Sequence, residues 1–425
     1  MENLYTLMTK KIDSLYDVVV VGGGLTGVMA SISAAREGKS VILIEKNGFL
    51  GGMATAGLVS PFMNYYERNT KTIANGGLFQ TLLHKMYKLG AINTPTARVF
   101  NEQLLKIVLD KMVLENNVKV LFHSYLSDVN VDGTNIESIT VSTISGNVSI
   151  KGKTYIDCTG NGNLFALAGI KFYLRKGPVD YCQPMTTCFN MMHVDWDKFD
   201  HAAANKLYSE YREKGLIKNP RENILIFNSP IKTLMHFNTT RIIKKDACDI
   251  EQLTESEFIG REQILEMYQF LKKNIAGFEE SELINIAQEV GVRESRRVDG
   301  LYKLNENDLL NTIKFEDSIA RGTYDIDIHN PNGTGTTIIH IPEHDYYTIP
   351  YRSLVPNGCD NLIVAGRCIC SSHEAHSSLR VMPITSNIGE AAGIAASLSV
   401  DNNCSFKDVD YHMIQSLLTK YNALY

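Results

Sequence analysis

Apolar runs divide the chain into elements before any residue is counted. Val18 to Val21 is a short β-branched run closed by glycines, the pattern of a strand buried on both faces. Leu25 to Glu37 is rich in Ala, Met and Leu-type residues and stops at Gly38, which predicts a helix with a glycine at its C-terminus. Ser40 to Glu45 is again β-branched and aliphatic, so the opening predicts β-α-β. Asn101 to Glu115 has helical apolar spacing, and VKVLFHS after it reads as a buried strand. From Leu126 a period-2 alternation, broken at Asp132-Gly133 and Ser145-Gly146, predicts an antiparallel hairpin set leading into one more strand before Gly160.

Between about Ile170 and Val355 the texture is more polar and aromatic, with the single Trp (Trp196) and a helical pattern from Glu251 to Asn274. Near the end, NLIVAGRCICSS predicts another buried strand, and Gly389 to Ser399 an Ala-rich helix. The two ends share a texture that the middle lacks. The fold class is therefore α/β: a discontinuous Rossmann-like nucleotide-binding domain at 14–170 plus 355–400, an inserted α+β substrate or cap domain at 171–354, and a helical tail at 401–425.

Composition narrows the class without naming it. With 425 residues, 44% hydrophobic and 21% charged, the chain is neither disordered nor collagen-like. A net charge of −5 gives no reason to expect a nucleic-acid partner. Eight cysteines without a CxxC pair suggest reduced thiols and a cytoplasmic location. No apolar run is long enough to span a membrane, and the first sixteen residues lack the apolar stretch of an export signal.

Gly22-Gly23-Gly24-Leu25-Thr26-Gly27 fits G-x-G-x-x-G between a strand and a helix. Such glycines allow a tight turn, approach of backbone to a pyrophosphate, and close helix–strand packing, while the helix N-terminus offers free N–H groups. Glu45 ends the next strand, placed to accept hydrogen bonds from ribose hydroxyls. A second glycine pair, Gly51-Gly52, follows the acid; a simple NAD dehydrogenase needs nothing there, whereas a flavoprotein threads its chain back past the pyrophosphate.

These segments, with YIDCTGNGNLFALAG, NLIVAGRCICSSHEAHSSLRVMP and GEAAGIAA, resemble the FAD-dependent oxidoreductase family of the glutathione-reductase-like superfamily, distant relatives of fumarate reductase and succinate dehydrogenase flavoproteins. VGVRESRRVDGLY in the middle is similar to a further family segment. The resemblance implies non-covalent FAD, since no His lies in 47–60 to carry a histidyl link. It places Gly22, Gly24, Leu25, Thr26 and Gly27 at the pyrophosphate, and Glu45 and Lys46 at the adenosine. Gly51, Gly52, Met53 and Thr55 then run along the pyrophosphate and flavin, Val120 meets the adenine through its backbone, and Thr159-Gly160 ends a strand under the cofactor. Gly366-Arg367 approaches the ribityl chain, and Gly389 opens a helix aimed at the flavin pyrimidine. Asn161 and Asn163 stand where family members often carry acids.

Other constellations carry less. His340-Ile-Pro-Glu343-His344 matches H-x-x-E-H, but Pro342 would break the helix a zinc site needs, so no metal is expected. Cys368 and Cys370 are two apart on a strand, leaving their reactivity open. Gly333 and Gly335 follow Asn-Pro-Asn and read as a turn rather than a second nucleotide loop. Arg293, Arg296 and Arg297, at i, i+3, i+4, would share a helix face and pair with acids or bind an anion. The polar cluster Arg352, His373, Glu374, His376 and Arg380 lies by chain continuity near the flavin. His373 or His376 is the expected proton carrier, and Arg380 or Arg352 the expected anchor for substrate or reduced flavin.

The expected function is hydride transfer between a small polar organic substrate and FAD N5, with an external electron donor or acceptor completing the cycle. A thiazole-synthase-like or tRNA-modifying flavoprotein of the same superfamily is the alternative. Substrate, direction, electron partner and oligomeric state are open at this stage.

Overall fold

The structure, a computed structural model, describes residues 14–175 and 181–425. Residues 1–13, part of the stretch read as lacking an export signal, lie outside the described residues.

The β-branched run forms β1 (Tyr16–Val21), the middle strand of a five-stranded parallel sheet. Beside it lie β2 (Val41–Ile44) and β3 (Lys119–Leu121) on one side, β7 (Gly152–Asp157) and β18 (Leu362–Val364) on the other, in the order β18-β7-β1-β2-β3. Val18, Val19, Val20, Leu43, Ile156 and Ile363 are fully buried. Both faces of the central strands are covered, which is why they read as unbroken apolar runs. Each such side chain contributes about 1.5–3 kcal/mol over an exposed one. Val21 pairs with Ile44 and Asp157, and Asp157 with Val364, so the carboxyl ends of four strands finish in line. Open α/β sheets bind ligands at that edge.

Helix α1 (Leu25–Arg36) leaves β1 through the glycine turn, and α9 (Met382–Asn402) packs along it. Helices α2 (Gly77–Lys88) and α3 (Glu102–Glu115) belong to the same core, α3 starting where Asn101 Oδ1 accepts the N–H groups of Gln103 and Leu104. The alternating segment is the antiparallel meander β4 (Tyr125–Asp132), β5 (Asn135–Thr143), β6 (Gly146–Ile150), turning at its glycines as expected. A short α4 (Asn163–Leu167) follows β7, and β8 (Phe172–Tyr173) pairs with β13 (Arg297–Val298).

A second sheet, in the order β10 (Ile226–Asn228), β11 (Met235–Phe237), β9 (Phe189–Met192), β12 (Glu282–Ile286), is antiparallel. Phe189, Met191, Met235 and Phe237 on one face share a core with α5 (His201–Glu213) and α6 (Ile250–Asn274), and the Phe189 and Phe237 rings stack at 4.6 Å. This core reaches no further than residue 286.

The segment after it differs from the domain reading, which placed everything up to 354 in the insertion. Val298, Leu304, Ile319, Ile349 and Leu354 are buried in the first core. They come from α7 (Glu306–Leu310), the pair β14 (Ser318–Gly322) and β17 (Tyr347–Pro350), the hairpin β15 (Ile326–His329) and β16 (Thr336–Ile339), and the loops between. The polar, aromatic texture of 298–354 comes from short two-stranded ribbons, not from a separate core. Gly333 and Gly335 lie in the β15–β16 turn. The chain closes with α8 (His373–Leu379), α9 and α10 (Tyr411–Lys420). Among the described residues no helix is long and apolar enough to cross a membrane.

Candidate active site

Four separated segments meet at the carboxyl edge of the parallel sheet. Gly22 has φ +103°, and a Cβ there would lie 2.4 Å from the carbonyl oxygen of Cys158. A Cβ on Gly27 would lie 1.8 Å from Gly22 O, so only glycine lets α1 start this close to β1. Gly24 forms a parallel bridge with Gly51, Gly51 N–H donates to Gly23 O at 2.9 Å, and the next residue, Gly52, lies directly against Gly24. Thr55 Oγ1 closes this second turn on Leu50 O at 2.8 Å. Gly366 approaches the side chain of Thr26, and Gly160 lies against the guanidinium of Arg367. The result is a cradle of bare backbone around the first turn of α1, whose N-cap, Gly24, has no side-chain cap and whose first turn has no acid. Its N–H groups and partial positive charge are free for an anion.

The flanking residues follow. Glu45 is buried, its carboxylate accepting the Gly23 N–H at 2.7 Å and the Asn47 N–H at 2.8 Å; burial raises its pKa against those two bonds. Lys46 points outward and pairs with Glu289. Val120 is half-buried on β3, next to Leu43 of β2. Thr159 donates from N and Oγ1 to Asp157, which also accepts the Leu164 and Phe165 N–H groups. Asp157, unnoticed in the sequence, holds the β7–α4 turn in shape. Asn161, in place of a family acid, accepts from Ser295 Oγ at 3.0 Å and from Arg367 Nη2 at 2.6 Å.

Gly389 requires a correction. It does not open a helix: α9 begins at Met382, seven residues earlier, and Gly389 sits in its interior. Pro383 in the first turn tolerates that start because its missing N–H has no intrahelical partner there. Gly389 is instead a packing glycine, where a Cβ would lie 2.2 Å from Thr26 O. The start of the helix, at Val381–Met382, has no side-chain cap.

The polar cluster also divides. His373 Nδ1 lies 2.8 Å from Glu294 Oε1, and the same oxygen accepts from Arg297. Burial would raise the Glu294 pKa, but the His373 hydrogen bond and the neighbouring cations hold it at about 2. His376 is fully enclosed, neither ring nitrogen has a hydrogen-bond partner among the described residues, and burial pushes its pKa far down, leaving a neutral imidazole beside Glu294, Arg297, Arg380 and Arg367. Arg380 reaches Asp327, at 3.4 Å to its carbonyl and 3.8 Å to Oδ2, with Nε unpartnered. Arg352 does not join them: it pairs with Asp317 at 2.9 Å, lies over the Tyr302 ring, and is half exposed. A 3-10 turn at Tyr351–Ser353 points it outward.

The three arginines at 293–297 are not on a helix; the segment is irregular and enters β13. Arg293 is half-buried and donates to Pro184 O at 2.6 Å, Arg296 donates to Asn161 O and Asn163 Oδ1, and Arg297 is locked to Glu294. Cys368 and Cys370 are buried, and desolvation pushes both thiols up, away from reactivity. The segment His340 to His344 is not helical, and His340 Nδ1 pairs with Asp325 at 2.8 Å.

Sequence reasoning missed one group altogether. Asn190 on β9 and His236 on β11 are direct cross-strand partners on the sheet face opposite the Phe189–Phe237 core. They line a pocket with Ala54, Leu58 and Ser60 of the segment after Gly52, and with Phe100 and Glu102. It is a narrow slot whose empty space, with the solvent at its mouth included, is about 270 Å³. His236 Nδ1 lies 2.8 Å from Asn190 Oδ1, and Asn190 Nδ2 donates to Glu102 Oε1 at 3.3 Å. Single polar residues inside apolar runs, FNMM and MHF, were the available signal.

A dinucleotide fits what is present. The cradle has no side chains in its path, the α1 N-terminus is uncapped, a buried acid flanks it, and Arg367 Nε and both His376 nitrogens are buried without partners. The sequence matches the family model described as FAD dependent oxidoreductase over residues 17–418. Over a short segment it is 47% identical to cinnamate reductase of Clostridium sporogenes, 53 residues making up 12% of this chain and 8% of that one. It is 43% identical over 61 residues to an FAD-dependent oxidoreductase of Emericella nidulans, 13% of each chain. These matches span only about a tenth of the relatives' length. Among solved structures, a geranylgeranyl bacteriochlorophyll reductase-like protein of Thermoplasma acidophilum is similar at 13% identity, covering 96% of this chain and 84% of that one, with TM-score 0.48. A flavin-dependent brominase is similar at 13% identity, covering 95% and 83%, with TM-score 0.48.

Proposed function

Since the chain belongs to the FAD-dependent oxidoreductase family, we propose that it moves a hydride between a small polar organic substrate and N5 of the flavin. FAD is the cofactor, and when bound it supplies the two-electron chemistry. The protein's part is to hold, orient and manage protons. Gly22, Gly24 and Gly27 with the first N–H groups of α1 take the pyrophosphate; Glu45 takes the ribose and the Val120 backbone the adenine. Gly51 to Thr55, Thr159-Gly160 and Gly366-Arg367 line the remaining length. The uncapped start of α9, rather than Gly389, would supply the positive helix end that stabilises negative charge on the flavin pyrimidine.

Of the two histidines, His376 is the better proton carrier, because its nitrogens are free while His373 is tied to Glu294. Arg380, with a free Nε, is the anchoring cation; Arg352 is spent on Asp317. The eight free cysteines support a reducing compartment.

The observation that carries this reading is the convergence of Gly22–Gly27, Gly51-Gly52, Gly160 and Gly366 on one uncapped helix start. The test is the visible spectrum of the purified protein and identification of the released cofactor, followed by anaerobic bleaching with hydroxy acids, sugars and amines. A colourless protein that FAD cannot reconstitute sinks the reading, as does a flavin that none of these substrates reduces.

A further inference from the structure

The slot between residues 54–60 and the second sheet holds a fixed acid–base arrangement. A carboxylate only accepts, so the amide nitrogen of Asn190 must face Glu102 and its oxygen must face His236. That oxygen can only accept, so the ring proton of His236 sits on Nδ1 and Nε2 carries a bare lone pair. Nε2 is buried without a partner among the described residues, and so is Ser60 Oγ, another residue of the slot's lining. Burial alone lowers the His236 pKa to about 4, and Glu102 and Asn190 are the only acid and amide that line the slot with it besides Asn228. The ring is therefore neutral and tautomerically fixed at neutral pH. A buried acceptor and a buried donor in the lining of one narrow slot match one small group that both donates and accepts, a hydroxyl.

We propose that this slot takes the hydroxyl group of the substrate and that His236 Nε2 removes its proton as the carbinol is oxidised. The proposal rests on the hydride-transfer reading and narrows its substrate to alcohols with a flat or slender group around the carbinol. The O–H bond breaks and its proton forms an N–H bond at Nε2. The carbinol hydrogen would leave with its electron pair, bound FAD being the acceptor, and the carbon–oxygen bond would become a carbonyl. Asn190 Oδ1 keeps its hydrogen bond to Nδ1–H throughout, and Glu102 orients Asn190; both are positioning residues. In this reading the substrate O–H proton goes to His236, and His376, beside Arg367 and Arg380, is left to carry a proton to or from the flavin.

The test uses FAD-loaded protein with 15N-labelled histidine, the His236 signals being assigned by their loss in His236→Gln. Nε2 should be unprotonated from pH 5 to pH 8, and phenol should shift it while toluene, of the same shape without the hydroxyl, should not. Asn190→Leu should let the proton redistribute between the two nitrogens in the same spectrum. With benzyl alcohol, cyclohexanol and glycerol as reductants, at least one should bleach the wild-type flavin, and His236→Gln should slow that bleaching by about 10²-fold or more with its flavin spectrum unchanged. A protonated Nε2, equal effects of phenol and toluene, or no bleaching by any alcohol overturns the proposal. Failure of the protein to hold FAD would instead sink the hydride-transfer reading, and the tautomer measurement tells the two failures apart.

Discussion

Replacing Gly389 by Ala sets two effects of opposite sign against each other. Gly to Ala inside a helix gains about 1 kcal/mol from propensity alone. Against this, the new methyl would lie 2.2 Å from Thr26 O, 2.9 Å from its carbonyl carbon and 3.0 Å from its Cα. Ordinary carbon–oxygen contacts begin near 3.3 Å, so α1 and α9 must separate by about 1 Å, and the obstacle is backbone that cannot rotate away. Overpacking of this kind costs about 1–3 kcal/mol or more. The variant should therefore be less stable than wild type by up to about 2 kcal/mol despite its better helix former. The obstructing carbonyl belongs to the first turn of α1, so FAD affinity should fall about tenfold or more. Thermal melting of the apoprotein and a flavin-fluorescence titration read the two effects. Gly393→Ala meets Ala30 O at 2.1 Å, one turn further from the cradle, and should lose stability with a smaller change in affinity. A Gly389→Ala protein that melts higher than wild type and binds FAD as tightly would refute the packing argument.

The other expectations concern buried charge. Glu390, fully buried and accepting the Leu78 N–H at 2.9 Å, is raised by desolvation from 4.5 to about 7. The folded state then holds a proton that the unfolded chain releases, so stability is greatest below pH 4.5 and declines as pH rises through 7, by about 3 kcal/mol for this group. Glu390→Gln should match wild type near pH 4.5 and exceed it at pH 8 in urea melts; a gain confined to acid would contradict the sign. Glu294→Gln leaves buried Arg297 without its partner and should cost about 3–5 kcal/mol, with much of it recovered in Glu294→Gln/Arg297→Met, measured as a double-mutant cycle. Arg367→Met removes a part-buried cation that has no acid partner; the apoprotein should melt no lower than wild type while FAD affinity falls at least tenfold by titration.

The parts legible in the sequence share one physical cause. Strands β1, β2, β7 and β18 are covered on both faces and therefore appear as apolar runs, and the glycines between them are required by close backbone approach. The less legible parts depend on contacts across the chain. The start of α9 was hidden because MPITSN reads as a loop, while the Ala-rich stretch after Gly389 drew the helix signal. Arg293, Arg296 and Arg297 have helical spacing, yet each bonds to a different segment, and those tertiary bonds override the local pattern. His236 and Asn190 sit on strands of three and four residues, too short for alternation to show, and their pairing is fixed only by the sheet register.

The contact between Thr26 and Gly389 also sets an order of events during synthesis. The ribosome makes Thr26 363 residues before Gly389, and at typical elongation rates the wait is roughly 20–70 s. Strand β18, which completes the parallel sheet, arrives equally late. Until then the glycine turn has no lid, and the apolar face of α1 has no partner in α9. The nascent chain must therefore stay soluble over that interval with its glycine turn unfinished, and the cofactor can be captured only after residue 389 has emerged. Supply of FAD at that moment, more than the rate of any single folding step, should set the yield of active enzyme.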